Sequence, residues 1–144
     1  MRSLKMSIEI SKIERIHMND VVAMLHRNLS EFMPQKEEIN DMWNSFTIQN
    51  NVQSIVALID GIVVGYGSIV IETKIRGGKM GHVEDIVSHE GHRNKGIGRV
   101  IVDSLFQIGK NEGCYKIALQ CKEHNIAFYE KCGYSVSGIS MQQF

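Results

Sequence analysis

The order of predicted elements in the second half of the chain is the feature that most limits its fold. Residues 81–88 have the character of a β-strand, a loop containing glycines follows, and apolar residues then continue one helical face over residues 97–110. Residues 114–120 predict another strand. A strand, a helix and a strand in succession connect parallel neighbours through a crossover, so the sheet should contain at least one parallel pair.

The first half predicts antiparallel strands. Two β-rich runs, residues 52–59 and 62–71, flank Asp60 and Gly61, and an Asp-Gly pair between such runs is a strong hairpin signal. Residues 72–80 predict an irregular connector. Further helices are predicted over residues 18–29, 39–46 and 125–131, and a last strand over residues 134–144.

Together these elements predict an α/β fold (α+β) with a mixed sheet. A chain of 144 residues, 43% of them hydrophobic, can bury one substantial core, so we expect a single domain over residues 1–144.

The composition of the chain limits the classes of molecule that it is expected to bind. Sixteen basic residues balance sixteen acidic ones, which predicts neither a nucleic acid nor a membrane as partner and favours a small-molecule substrate. Cys114, Cys121 and Cys132 lie outside any CxxC spacing in a chain without a long apolar run, which favours a reducing, cytoplasmic location. Cys121 with His124 is the nearest approach to metal-ligand spacing, so no metal is expected.

The loop before the predicted long helix has the character of an anion site. Gly96 and Gly98 can adopt conformations that turn backbone N–H groups toward a phosphate, and Arg93 and Lys95 can add full charges. The spacing differs from that of a Walker loop and of the dinucleotide fingerprint. The pattern R-x-x-G-x-G after a strand resembles instead the pyrophosphate-binding motif of the GNAT superfamily of N-acetyltransferases.

The resemblance extends in both directions. The strings GHVEDIV (81–87), GCYK (113–116) and FYEKCG (128–133) are similar to those of the eukaryotic glucosamine-6-phosphate N-acetyltransferase family. This resemblance implies a GNAT-like acyl-CoA N-acyltransferase fold, acetyl-CoA as co-substrate and a homodimer with sites built from both subunits. It also implies direct attack of the glucosamine 6-phosphate amine in a ternary complex, a step of UDP-GlcNAc biosynthesis. Residues 134–144 could then pair with the second chain.

The resemblance also assigns cofactor contacts and a catalytic group. Tyr129 matches a tyrosine that donates a hydrogen bond to the departing sulfur, although it could instead be a core aromatic. Asn125 matches a position that contacts the cofactor, and it could equally serve as a helix cap. Main-chain groups and the loop around the pyrophosphate supply the remaining cofactor-binding residues, Ile86, Val87, Ser88, Arg93, Asn94, Lys95, Gly96, Ile97 and Gly98.

The resemblance also implies which residues bind the acceptor. Glu84 and Asp85 match a pair that binds sugar hydroxyls and orients the amine, and as neighbours in a strand they are expected to face opposite sides of the sheet. Gln120, a candidate for both catalysis and substrate binding, stands where the family commonly has aspartate, so it could act only through its main-chain carbonyl or by orientation. The candidates for the sugar phosphate are Asn28, Lys74 and Arg76.

Other functions remain open at this point. The same fold could act on another amine, such as a polyamine, another amino sugar or a protein N-terminus, because Gln120 and Phe144 depart from the family pattern. The chain could also be a non-catalytic module that senses acyl-CoA, or a nucleotide-phosphate binder. An acetyl-cysteine intermediate on Cys121 or Cys132 is disfavoured, since the bound amine can attack directly.

Overall fold

The computed structural model describes residues 7–92 and 94–144. The elements, in chain order, are Glu9–Lys12 (β1), Met18–Asn28 (α1), Ile39–Thr47 (α2), Val52–Ile59 (β2), Ile62–Thr73 (β3), Lys79–Ser88 (β4), Ile97–Asn111 (α3), Cys114–Leu119 (β5) and Ile126–Lys131 (α4). Short 3-10 turns precede each of the α-helices. The four predicted helices are confirmed, each within one residue of its predicted bounds.

The predicted hairpin is confirmed. Asp60 and Gly61 have φ angles of 50° and 77°, the positive values that a tight two-residue turn between twisted strands requires. From this turn β2 and β3 pair in antiparallel fashion along their lengths.

The sheet has the order β1-β2-β3-β4-β5. The first four strands pair in antiparallel fashion, whereas β4 and β5 are parallel and are connected through α3. The mixed sheet predicted from the element order is therefore confirmed.

Helices cover both faces of the sheet. Ile97, Ile101 and Leu105 of α3 are buried on one face with Ile69 and Val83. The helices α1 and α2 cover the other face, where the cluster of buried residues consists of Ile13, Met18, Val21, Val22, Met24, Ile39, Val56, Val63, Tyr66 and Val87. The two faces of β4 therefore look toward different helices.

Two glycines of β3 determine how closely α3 approaches the sheet. A Cβ atom at Gly67 would lie 2.6 Å from Ile101 Cγ2, and one at Gly65 would lie 2.5 Å from Ile101 Cδ1. Real Cβ atoms do not approach other carbons so closely, since interiors are already packed to contact. The missing side chains thus let α3 lie directly on β3, which places the start of this helix beside the end of β4.

Three parts of the fold differ from the sequence prediction. The strand β1 was not predicted, because its four residues show little hydrophobic alternation. The irregular connector is shorter than expected, since Glu72 and Thr73 pair with Met80 and Lys79 and leave only residues 74–78 between the strands.

The third difference is the last predicted strand, which is wrong for the single chain. Residues 134–144 form no strand, and Val136, Ile139, Met141 and Phe144 are exposed. An extended segment becomes a strand only where another strand supplies its hydrogen bonds, and no strand of the described residues does so here.

Candidate active site

The glycine loop leads directly into the N-terminus of α3. Asn94 and Gly96 have φ angles of 66° and 75°, so left-handed residues recur at alternate positions just before the helix begins at Ile97. Alternation of this kind turns successive N–H groups into a concave anion site, and the first N–H groups of a helix have no intrahelical partner. The backbone of residues 94–98 is therefore compatible with the predicted anion cradle; Arg93 lies outside the described residues.

The side chains of this loop carry mixed charge. Lys95 is exposed, and its Nζ lies 3.4 Å from Nδ1 of His92. Arg27 of α1 reaches the loop through Nε, 4.0 Å from Oε1 of Glu90. Cations from the loop and from α1 thus lie near the cradle, where they would favour an anion.

The end of β4 lies beside the cradle and lacks a neighbour on one side. Val83 pairs with Leu119, and β5 pairs with no described residue of β4 beyond it. Val87 and Ser88 still pair with Tyr66 and Gly65 of β3. The parallel strands therefore separate along residues 84–88, and main-chain groups of Ile86 and its neighbours face the gap, where an extended ligand could pair with them.

Tyr129 lies on α4, which packs against the start of α3. A Cβ atom at Gly98 would lie 3.3 Å from Cζ of Phe128, so α4 rests against the first turn of α3. The Tyr129 ring is half-buried, and it meets the rings of Phe128 and Tyr134 edge to face, with centroid distances of 5.0 and 6.2 Å. Burial, together with the nearby Cys121 and Cys132, raises the pKa of Tyr129 above its usual value, so the hydroxyl keeps its proton at neutral pH.

Tyr134 has a buried hydroxyl with no hydrogen-bond partner among residues 7–92 and 94–144. Burial is the main reason why the pKa of Tyr134 rises to about 12. A second protonated phenol therefore lies next to Tyr129.

Asn125 occupies the N-cap position of α4, but its side chain makes no capping hydrogen bond. Its exposed amide is thus not committed to the helix that it begins. The position is compatible with the predicted contact to a cofactor.

Glu84 and Asp85 lie on the same side of the sheet, so the expectation that they face opposite sides is wrong. The cause is a β-bulge: Tyr66 pairs with Val87 and Ser68 with Glu84, which leaves Asp85 and the next residue opposite a single residue of β3. Asp85 takes a φ angle of 54° in this bulge, and its side chain lines a cavity beneath α1.

The position of Glu84 follows from its cross-strand partner. Ser68 is hydrogen-bonded to Ser54, which in turn bonds the hydroxyl of Tyr66, a member of the cluster under α1 and α2. Residues paired across a ladder share a face, so Glu84 also lies on this side. The bulge therefore presents two carboxylates toward α1.

Gln120 lies just beyond the end of β5. Its exposed amide donates a 2.8 Å hydrogen bond from Nε2 to Oγ of Ser140. An amide in this place carries no charge and cannot remove a proton, so proton removal from an acceptor amine falls to other groups or to water.

Lys74 and Arg76 lie at the other end of β4 from Asp85. Asp85 lies six residues after Lys79 along the strand, about 20 Å at ~3.3 Å per residue. Lys74 pairs with Glu72 at 3.1 Å, and Arg76 donates a 3.4 Å hydrogen bond to the Tyr115 hydroxyl. The structure therefore does not bring these two cations to the carboxylate pair of their own chain.

Asn28 is turned back onto its own helix, because its Nδ2 donates a 2.7 Å hydrogen bond to the Met24 carbonyl. Ser30, two residues later, lines the cavity beside Asp85. Sequence reasoning missed Ser30, and its position directly after α1 was the available signal, since the loop that follows α1 overhangs the end of β4.

Neither a metal centre nor a membrane span is found in the described part of the chain. Residues 7–92 and 94–144 contain no group of three or more histidine, cysteine, aspartate or glutamate side chains that could bind a metal ion. Their helices are also too short or too polar to cross a bilayer.

Comparison with known proteins agrees with this geometry. Residues 20–134 match the model of the acetyltransferase (GNAT) family. Glucosamine 6-phosphate N-acetyltransferase 1 of Dictyostelium discoideum is 37% identical over 120 residues, which cover 80% of this chain and 76% of that protein. The Candida albicans glucosamine 6-phosphate N-acetyltransferase is 34% identical over 110 residues, 74% of each chain.

A solved structure is similar over nearly the whole chain. The crystal structure of glucosamine-6-phosphate N-acetyltransferase from Arabidopsis thaliana superposes with a TM-score of 0.87 at 29% identity, covering 96% of this chain and 98% of that one. The anion cradle, the separated strands and the matched family model lead to one conclusion. The chain is an acetyltransferase and belongs to the GNAT family.

Proposed function

We propose that the chain transfers the acetyl group of acetyl-CoA to the amine of D-glucosamine 6-phosphate, giving N-acetylglucosamine 6-phosphate and coenzyme A. The observation that carries this proposal is the gap between β4 and β5, which opens beside the glycine cradle, while the helix that carries Tyr129 packs against the start of α3. The cradle fits a pyrophosphate, the gap fits an extended pantetheine arm, and the phenol fits a departing sulfur. The relatives named for this reaction support the choice of acceptor.

The residues of the gap have defined tasks in this proposal. Bound acetyl-CoA supplies an activated acyl group whose carbon is open to attack by an amine. Backbone N–H groups of Ile86 and Ser88, which alternate with the β3-paired Val87, donate hydrogen bonds toward the thioester oxygen, where negative charge develops during attack. Because these groups are fixed in a strand, they need no reorganisation at that moment. Residues 94–98 hold the pyrophosphate and so fix the thioester along the strand.

Tyr129 acts on the leaving group. Its hydroxyl donates a hydrogen bond to the sulfur as the carbon–sulfur bond breaks. A thiol has an ordinary pKa near ~8.5 and a phenol near ~10, and burial moves Tyr129 further upward. The phenol therefore stabilises the thiolate through a hydrogen bond while keeping its own proton.

The acceptor lies on the α1 side of the gap. Glu84 and Asp85 both face this side, and Ser30 adds a hydroxyl to the same cavity wall. Carboxylates accept hydrogen bonds from sugar hydroxyls and from the amine, so they would orient the nitrogen toward the thioester.

An acceptor comparison tests this assignment. We expect kcat/KM for glucosamine 6-phosphate to exceed that for glucosamine by roughly 10-fold or more, since a charge-assisted hydrogen bond to phosphate contributes about 1.5–3 kcal/mol. Asp85→Asn should lower turnover of both sugars. Asp60→Asn is the matched control, because Asp60 has a similar φ angle of 50° in the β2–β3 turn. A preference for unphosphorylated glucosamine or for a peptide amine would end the assignment.

We further propose that the active form is a homodimer. Lys74 and Arg76 are too far from the carboxylates of their own chain to share a substrate with them, so they could serve only the site of a second copy. The exposed apolar side chains of residues 134–144, such as Ile139 and Phe144, favour burial against another chain.

Mixed dimers test this arrangement. Lys74→Ala would impair phosphate binding in the partner's site, and Tyr129→Phe would impair the site of its own chain. Both active sites are therefore defective in a homodimer of either variant. Random mixing of the two variants should restore about a quarter of wild-type activity, since half of the dimers are mixed and each has one intact site. Activity that stays at the level of the separate variants, in dimers shown to have exchanged, would contradict shared sites.

A further inference from the structure

Two adjoining cavities lie beneath α1. The first has a volume of about 230 Å³ and the second about 170 Å³. Val22, Leu25 and Met42 line both, so the two cavities are neighbours, and a ligand that passes these side chains would occupy both. Together they reach the lower part of the range of about 300–1,000 Å³ that small-molecule pockets span.

The two ends of this space differ in chemistry. The first cavity contains the Asp85 carboxylate, which is the only charged group on the walls formed by the described residues. The second is lined by apolar side chains and by Tyr66, whose hydroxyl already contacts Ser54 at 3.2 Å. A ligand that fills both cavities therefore needs a cationic or hydrogen-bonding head and an apolar body.

The charged end also lies where acetyl transfer takes place. Asp85 belongs to the bulge at the start of the β4 segment that separates from β5. An amine held by this carboxylate would lie next to the main-chain groups assigned to the thioester. The apolar body would extend away from the gap, past Val22 and into the second cavity.

From this arrangement we propose that the chain also acetylates primary amines that carry an unbranched alkyl or an aryl-alkyl group. This activity rests on the acetyl transfer proposed above and uses more of the cavity than a sugar can. The carbon–sulfur bond of acetyl-CoA breaks, a carbon–nitrogen bond forms, and a proton of the amine goes to the thiolate to give coenzyme A. The Asp85 carboxylate orients the amine, and apolar burial selects the substituent.

A chain-length series provides the test. Turnover of propylamine, hexylamine and 2-phenylethylamine is measured with acetyl-CoA at about pH 9, because alkylamines resemble lysine in holding a proton at neutral pH. We expect kcat/KM to rise roughly fourfold for each methylene buried, and so about 60-fold from propylamine to hexylamine. A flat or falling series would overturn the proposal.

A cavity-filling variant locates the apolar body. Val21 lines the second cavity but not the first, so Val21→Leu should lower the hexylamine-to-propylamine ratio about fivefold or more. Val63→Leu makes the same change in the same core cluster without lining either cavity, and it should leave the ratio unchanged. Thermal unfolding of both variants shows that the fold is retained. Equal ratios in the two variants would overturn the placement.

Parallel assays separate this proposal from the proposed function. Turnover of glucosamine 6-phosphate without turnover of any apolar amine would overturn the inference and leave the sugar acceptor in place. Turnover of the apolar amines without that of the sugar phosphate would support the inference and overturn the sugar acceptor. No acetyl transfer to any acceptor would overturn both.

Discussion

Tyr129→Phe is expected to lower kcat roughly 10- to 150-fold while KM for acetyl-CoA changes little. The variant keeps the half-buried ring against Phe128 and Tyr134 and removes only the hydroxyl. A hydrogen bond to a charged group contributes about 1.5–3 kcal/mol, and the thiolate carries its charge only as the carbon–sulfur bond breaks. The loss should therefore appear in kcat, measured by release of the coenzyme A thiol.

The size of the effect distinguishes two chemical roles. Because the pKa of Tyr129 is raised and that of a thiol is lower, we expect a hydrogen bond and no full proton transfer. Full general acid catalysis is worth about 100- to 10,000-fold, so a loss well above 1,000-fold would indicate proton transfer instead. Tyr134→Phe is the matched control, since it removes the neighbouring buried hydroxyl and should leave kcat unchanged. An unchanged kcat in Tyr129→Phe would contradict the assignment.

Gly96→Val is expected to raise the dissociation constant for coenzyme A roughly 10- to 150-fold. Gly96 has a φ angle of 75° at the entrance to α3, a conformation that a β-branched residue strongly disfavours. A shift of the loop backbone would remove at least one N–H group from the pyrophosphate, and a hydrogen bond to a charged group contributes about 1.5–3 kcal/mol. Titration calorimetry with coenzyme A measures the change.

Gly61→Val provides a control with nearly the same backbone strain. Gly61 has a φ angle of 77° in the β2–β3 turn, and an added Cβ at either glycine meets no atom within 4 Å. Both variants should therefore lose similar thermal stability, while only Gly96→Val should lose affinity. Equal affinities for coenzyme A in the two folded variants would exclude the loop as the pyrophosphate site.

Local signals in the sequence were sufficient for most of the fold. The Asp60-Gly61 turn predicted the pairing of β2 with β3, although their register shifts once between Ala57 and Leu58, and the apolar face of residues 97–110 predicted the crossover helix. These features depend on neighbours a few residues apart, so the pattern carries them. The strand β1 depends on pairing with β2, which is distant in the sequence, and residues 134–144 have no strand partner among the described residues; no local pattern reports either fact.

Some parts of the candidate site could likewise be predicted from the sequence, and others could not. The cradle and Tyr129 were predicted from a short motif and from a resemblance, and the contact of Gly98 with Phe128 places the helix that carries Tyr129 against the first turn of α3. The shared face of Glu84 and Asp85 could not be predicted, because one additional residue in β4 reverses the alternation of side chains. Ser30 was missed for a related reason: only the packing of α1 over β4 places it beside Asp85.

The contact of α3 with Gly65 and Gly67 determines how the helix at the anion site is oriented, whereas the residues of the loop determine how strongly the site binds an anion. The axis of the helix is fixed by a bare stretch of β3, where Gly65 lies against Ile97 and Ile101, and Gly67 lies against Ile101 and Leu105. Substitutions in the loop could thus change cofactor affinity without tilting the helix. A single methyl group added at Gly67, in contrast, would displace the whole phosphate-binding end of α3. The geometry of the phosphate-binding end therefore depends on the small residues of the third strand as much as on the loop.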